Sequence, residues 1–270
     1  MKILTLNTHS LLEDDYEEKC RIFAEGTKEL MPDIIVLQEV NQRKDGAAVH
    51  NTDRTFSVGR IALRENNHAL KVRSLLTKKG ISYFLVWAGI KKCFDTFDEG
   101  IAILSLSPIE NAVSFAVSQV DDYENWKTRK ALVARTQGIT ICTTHLGWWN
   151  DKEEPFEKQF LKLNEELSKR DCSILAGDFN SPDAIRGEGY ELVLSKGWQD
   201  TFCHAKAREG SHTVSGPIAG WNQKDDLRID YIFLKDNISV KSCRTVFDGE
   251  RFGRVSDHFG VIADIERSSK

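Results

Sequence analysis

Acids, amides and imidazoles recur at the ends of apolar runs. Asn7 follows ILTL, Gln38-Glu39 follow DIIVL, His145 follows ITICTT, and Asp178 and Asn180 follow SILAG. Asp230 opens YIFL, and Asp257-His258 open FGVIADI. Each residue alone fits a turn or a cap, because short polar side chains bond to nearby backbone. Their recurrence points further. A carboxylate ending a buried strand is costly unless a cation or a donor answers it. If these strand ends share one rim, the acids converge, and converging carboxylates favour a divalent cation.

The stretch SILAGDFNSP shows the arrangement in miniature. Side chains on a strand alternate in direction. A strand continuing through residue 180 would send Asp178 and Asn180 to one side and Phe179 into the core.

The elements that must position these residues can be read from periodicity. KILTLN reads as a strand. Residues 16–31 place Cys20, Phe23, Ala24, Thr27 and Leu30 on one helical face, with Pro32 as the stop. DIIVLQEV is a second buried strand, so the chain opens β-α-β. Residues 41–60 read as a long loop, and residues 67–79 as a helix. Strands follow at ISYFLVWAG, GIAILS and AVSFAVS, then a polar loop over 120–128. KALVART and ITICTTHL look like a hairpin. Residues 154–169 form an amphipathic helix with Pro155 in its first turn and Phe156, Phe160, Leu163 and Leu167 on one face. SILAG, a short helix near 189–196, a loop over 204–227 and three further strands complete the chain. There is no fixed-period repeat and no low-complexity linker, which favours one domain over residues 1–270: an α/β fold of two packed sheets with helices outside.

Composition narrows the function classes. The chain has 270 residues, 40% of them hydrophobic, with 37 basic and 41 acidic side chains for a net charge of −4. A protein that grips long nucleic acid usually carries a basic field. The acidic balance speaks against such a partner but leaves a local basic patch open. The N-terminus reads as a strand, not a signal peptide, and no run is long enough to span a bilayer. The six cysteines form no CxxC pair. They read as reduced thiols of a cytoplasmic protein.

LQEV, GIAILS, TTHL, GDFN, RIDYIF and VSDHFG, in that order from residue 37 to residue 260, resemble the motifs of the endonuclease/exonuclease/phosphatase superfamily. The resemblance covers Asn7 to His258. It implies a deoxyribonuclease I-like four-layer α/β-sandwich, with two mixed sheets flanked by helices, and Mg²⁺-assisted phosphoester hydrolysis, Mn²⁺ being an alternative. It further implies Glu39 as main metal ligand with Asn7 beside it, and Asp257 able to touch the metal. Asp178 would activate or orient the water, and Asn180 would hold a phosphate oxygen or that water. His258 would contact the scissile phosphate, oriented by Asp230. His145 resembles a second phosphate-binding histidine of some branches, with Glu99 as its carboxylate partner and Arg129 as a phosphate-contacting arginine.

Loops must select the substrate, since one fold and site serve many functions. Trp148 and Trp149 follow His145 closely, Trp126 precedes Arg129, and Trp221 lies in the loop before Asp230. Four of the six tryptophans thus fall beside the expected rim. Together they could stack on a base or on the apolar face of a sugar. Within the superfamily the whole chain is similar to a Gram-positive group that includes a maltose 6′-phosphate phosphatase. The leading expectation is a phosphomonoesterase acting on a small phosphorylated sugar. A DNA endonuclease or exonuclease using the same residues is the alternative. A sphingomyelinase-type phosphodiesterase and a catalytically silent binding protein rank lower.

Overall fold

The computed structural model describes residues 1–216, 226–235 and 238–267. The opening apolar run is strand β1 (Lys2–Asn7), followed by helix α1 (Tyr16–Leu30) and strand β2 (Ile34–Gln38). In α1 the five residues expected on one face are all buried. Met31 ends the helix in the left-handed region at φ 49°, immediately before Pro32.

Short strands β3 (Gln42–Arg43) and β4 (Thr55–Val58) precede helix α2 (His68–Lys78). The Asn67 side chain caps α2 by accepting from Ala69 N at 2.9 Å. Strands β5 (Phe84–Cys93), β6 (Phe97–Ser105), β7 (Ile109–Ala116), β8 (Lys130–Thr136) and β9 (Ile139–His145) follow, and then helix α3 (Phe156–Ser168). Pro155 sits just before α3 as its cap rather than inside the first turn. Strand β10 (Ile174–Asp178), helix α4 (Gly189–Ser195), strand β11 (Gln199–Asp200), helix α5 (Thr201–His204) and strands β12 (Ala205–Glu209), β13 (Asp230–Leu234), β14 (Ile238–Val246) and β15 (Gly260–Arg267) complete the order.

Among the described residues the strands make two mixed sheets. The larger runs β12-β14-β15-β1-β2-β6-β5-β4, with β3 against β6, and the smaller runs β11-β13-β10-β9-β8-β7. Ile3, Val36 and Ile103 of the larger sheet pack against Ile141, Ala176 and Ile232 of the smaller. The outer face of the larger sheet is covered by Phe23 and Leu30 of α1 and Val72 and Leu76 of α2. Phe160 and Leu163 of α3 and Val193 of α4 cover the smaller. Each such side chain contributes about 1.5–3 kcal/mol of burial. The result is the four-layer α/β-sandwich expected.

Two segments expected to be loops contain strands. Within residues 41–60, β4 pairs in parallel with β5, and within 204–227, β12 pairs in parallel with β14. They are the two end strands of the larger sheet. Each is short, and only Phe56 and Val58 in β4 and Ala205 in β12 pack against the core, too brief an alternation to read as a strand from sequence.

Register already assembles a rim. Asp178 lies opposite His145 across the parallel β9–β10 pair and opposite Asp230 across the antiparallel β10–β13 pair. Asn7 ends β1 beside Gln38, one residue before Glu39. Gly177 permits this alignment. Its φ is +149°, and a Cβ there would lie 2.0 Å from the Thr144 carbonyl oxygen. Gly177→Ala should therefore cost at least ~2 kcal/mol and lower the thermal midpoint by roughly 5 °C, measured by calorimetry. An unchanged midpoint would show that β10 does not depend on this close approach.

Candidate active site

Asn7, at the end of β1, links the two sheets. Its Nδ2 donates to Glu39 Oε1 at 2.9 Å and to Asp178 Oδ2 at 3.0 Å. Glu39 follows β2 in the left-handed region, at φ 51°. Its carbonyl accepts from Ser10 Oγ at 2.7 Å, which holds that unusual backbone in place.

Asp178 Oδ1 accepts from the backbone N of Asn180 at 2.8 Å. Asn180 reaches the site by a turn at φ 45°, not by continuation of the strand. Its Nδ2 lies 3.0 Å from His145 Nε2 and donates to the Leu146 carbonyl, also at 3.0 Å. Phe179 is buried against Tyr231 and Phe233, as alternation requires.

The two histidines are held in opposite charge states. Burial works against protonated His258. Asp230 overcomes it through its charge and a 2.9 Å contact between Nδ1 and its Oδ2, and Asp178 and Asp257 add to the effect. The His258 pKa is raised to about 10, so the ring is an imidazolium. Its Nε2 is 3.8 Å from Asp178 Oδ2. His145 is held well below the ordinary histidine value by burial, and by Arg129, Lys91 and His258 nearby. A neutral ring that accepts from Asn180 at Nε2 carries its proton on Nδ1. That atom faces Glu39 Oε1 at 3.7 Å without a hydrogen-bond partner.

The acids carry the cost of desolvation. Burial, reinforced by Asp230, pushes the Asp178 carboxyl up to about 7, against the opposing pull of His258, Asn7 and the Asn180 N–H. Glu39 is raised by burial and by the charge of Glu99. Two carboxylates thus approach one shared amide nitrogen, and each resists ionisation. This is the environment that a hard divalent cation relieves, and the oxygen donors of Glu39, Asp178, Asn7 and Asp257 suit Mg²⁺ or Mn²⁺. Ligand atoms of Asp178, Asp230 and His258 also lie within 4.8 Å of one another. A protonated His258 bound to Asp230 has no lone pair to give a metal.

A cavity of about 410 Å³ opens over these groups. Glu39, His145, Asp178, Asn180, Asp257 and His258 border it, together with Lys91, Arg129, Trp126 and Trp148. Arg129 lies over the Trp148 ring at 5.8 Å, and among the described residues no carboxylate pairs with it. Trp126 is 57% exposed at the mouth.

Some expected placements are corrected. Glu99 pairs with Lys91 at 3.2 Å rather than with His145, because the β5–β6 register sets it opposite that lysine. Trp149 turns away from the cavity and packs 6.2 Å from Phe156 of α3. Trp221 lies outside the described residues. Sequence reading did not find Lys91, which looks there like an exposed strand charge. It also missed His9 and Glu13, which lie 2.7 Å apart and cluster with Asp257 at the cavity's edge. No helix among the described residues is long and apolar enough to cross a membrane.

The model of the endonuclease/exonuclease/phosphatase family matches residues 4–258. The chain belongs to that family. Members of the endonuclease/exonuclease/phosphatase family are phosphoesterases and nucleases that depend on a divalent metal. A structure described as a family protein from Leptotrichia buccalis C-1013-b is similar at TM-score 0.85 and 29% identity, covering 99% of this chain and 100% of that one. A mannosyl-6-phosphatase from Bacteroides thetaiotaomicron VPI-5482 is similar at TM-score 0.69 and 19% identity, covering 99% and 100%. A 3′ phosphatase from Neisseria bound to product DNA hairpin is similar at TM-score 0.67 and 21% identity, again covering 99% and 100%. At these last two identities the likeness is one of fold. No curated protein matches the chain.

The raised Asp178 pKa fixes a pH dependence for this family member. A carboxyl whose folded pKa is raised favours the folded state below its unfolded pKa and loses that contribution as pH rises through the folded value. For Asp178 the loss runs from its ordinary 3.8 to about 7. In EDTA, the thermal midpoint of Asp178→Asn relative to wild type should move in the variant's favour between pH 4 and pH 8, by on the order of 5 °C. Added Mg²⁺ should shrink the difference. A pH-independent difference would contradict the raised pKa.

Proposed function

We propose that the chain is a divalent-metal-dependent phosphomonoesterase whose substrate is a small phosphorylated sugar. The observation that carries this reading is the cavity itself. It brings the cations Arg129 and His258 and the carboxyl of Asp178 to one space, lined also by Trp126 and Trp148.

Glu39 and Asn7 would hold the metal, with Asp257 within reach. The bound cation supplies charge to the phosphate oxygens. Asp178, with its pKa near neutrality, accepts a proton from the attacking water. Asn180 orients that water or a phosphate oxygen. His258, kept protonated by Asp230, donates a hydrogen bond from Nε2 to the phosphate as negative charge builds, and as the P–O bond to the sugar breaks the departing alkoxide takes a proton from solvent water. Neutral His145 supports the same oxygens, and Arg129 balances their charge. The indoles suit the apolar face of a sugar ring.

The net charge of −4 supports a small substrate over long DNA. The mannosyl-6-phosphatase shows that this fold serves a sugar phosphatase. The motif resemblance makes a maltose 6′-phosphate-like disaccharide the first candidate. The reading includes a cytoplasmic setting, where six free cysteines stay reduced.

The deciding experiment compares phosphate release from phosphorylated sugars with plasmid nicking, in Mg²⁺ at equal enzyme concentration. Phosphate release without nicking is expected, with Asp178→Ala slower by roughly 10²–10⁴-fold. Nicking without phosphate release would overturn the reading and favour a nuclease.

A further inference from the structure

Lys91 stands out among the cavity residues. It belongs to β5, where it pairs with Glu99 of β6 just past a register irregularity at Gly89, and is only 5% exposed. A buried ammonium is costly unless answered by charge and hydrogen bonds. The structure answers it in part. Nζ donates to the Trp126 carbonyl at 2.7 Å and lies 3.2 Å from Glu99 Oε1. An ammonium has three protons to donate. The third finds no acceptor among the described residues, while the side chain borders the cavity.

Arg129 lies close enough to Lys91 that its charge works against the ammonium, adding to the effect of burial. Both cations border the same space, and among the described residues Glu99 is the one carboxylate within ion-pair distance of either. A terminal phosphate monoester carries close to two negative charges at neutral pH, with a second pKa near 6. A diester carries one. Arg129, with no carboxylate partner among the described residues, and the third proton of Lys91 are two donors to one space, and charge-assisted bonds to them gain most from the more highly charged of the two.

We propose that Lys91 is a specificity-determining residue which, with Arg129, selects a dianionic terminal phosphate over a phosphodiester. This rests on the phosphomonoesterase reading and deepens it. Glu99 is then a positioning residue that holds the ammonium, which accounts for its pairing with Lys91 rather than with His145. The bond to the Trp126 carbonyl couples the same ammonium to the loop carrying the aromatic mouth.

The test compares kcat/KM for p-nitrophenyl phosphate and bis(p-nitrophenyl) phosphate in wild type, Lys91→Met and Lys91→Arg, with Mg²⁺. Loss of one charge-assisted hydrogen bond should cost Lys91→Met roughly 10- to 100-fold on the monoester. The diester should change by less than about 3-fold, and Lys91→Arg should keep most of the wild-type preference. Equal losses on both substrates would reduce Lys91 to a prop for the Trp126 loop and overturn the proposal, as would no loss on either. A wild type that prefers the diester would sink the phosphomonoesterase reading instead. Lys91 is then judged by inorganic phosphate affinity in calorimetry, which Lys91→Met should weaken by a similar factor; an unchanged affinity overturns the proposal. Should the variants fail to fold, inorganic phosphate must protect Lys91 of the wild type from reductive methylation, and absence of protection is the contrary result.

Discussion

One amide nitrogen ties the site together. Asn7 belongs to the larger sheet and Asp178 to the smaller, and the Nδ2 of Asn7 donates to Asp178 and to Glu39 alike. The constraint behind this contact is electrostatic. Carboxylates at the ends of buried strands must be answered, and water is excluded from the seam where the sheets meet. Much of the local structure answers that demand: the left-handed Glu39, the turn at Asn180, the protonated His258 on Asp230 and the close approach at Gly177.

The cavity gathers charges of both signs. Acids and a protonated imidazole sit at the strand ends, and Lys91 and Arg129 border the same space. The acids include carboxyls whose pKa values are raised, and the lysine has its pKa lowered. Perturbation of both signs around one cavity is the pattern expected of a functional site. A cation at the acids and an anion at Lys91 and Arg129 would relieve both together, which is the composition of a metal–phosphate complex.

Most of this was legible in the sequence, and the parts that were not share physical reasons. Asp178, His145, Asp230 and His258 stand out because an apolar run fixes each strand and register then fixes the neighbours. Asn180 was placed on the right side for the wrong reason, since a left-handed turn rather than strand alternation aims it. Partner choice was harder to read. Glu99 meets Lys91 through the pairing of two antiparallel strands, which no local pattern discloses. Trp149 was misplaced because adjacent tryptophans in a turn face different ways, one to the cavity and one to α3. The end strands β4 and β12 were missed because their alternation is short and weak: Phe56 and Val58 in one and Ala205 in the other pack against the core, in strands of only four and five residues.

The seat we propose for a divalent cation lies among Glu39, Asn7 and Asp178. The most direct measurement is a crystal of the protein soaked in Mn²⁺, with anomalous scattering collected at the manganese edge. A peak within coordination distance of the Glu39 carboxylate, lost in Glu39→Gln, is the predicted result. A peak confined to His9, Glu13 and Asp257, or none at Glu39 at millimolar Mn²⁺, would contradict the account.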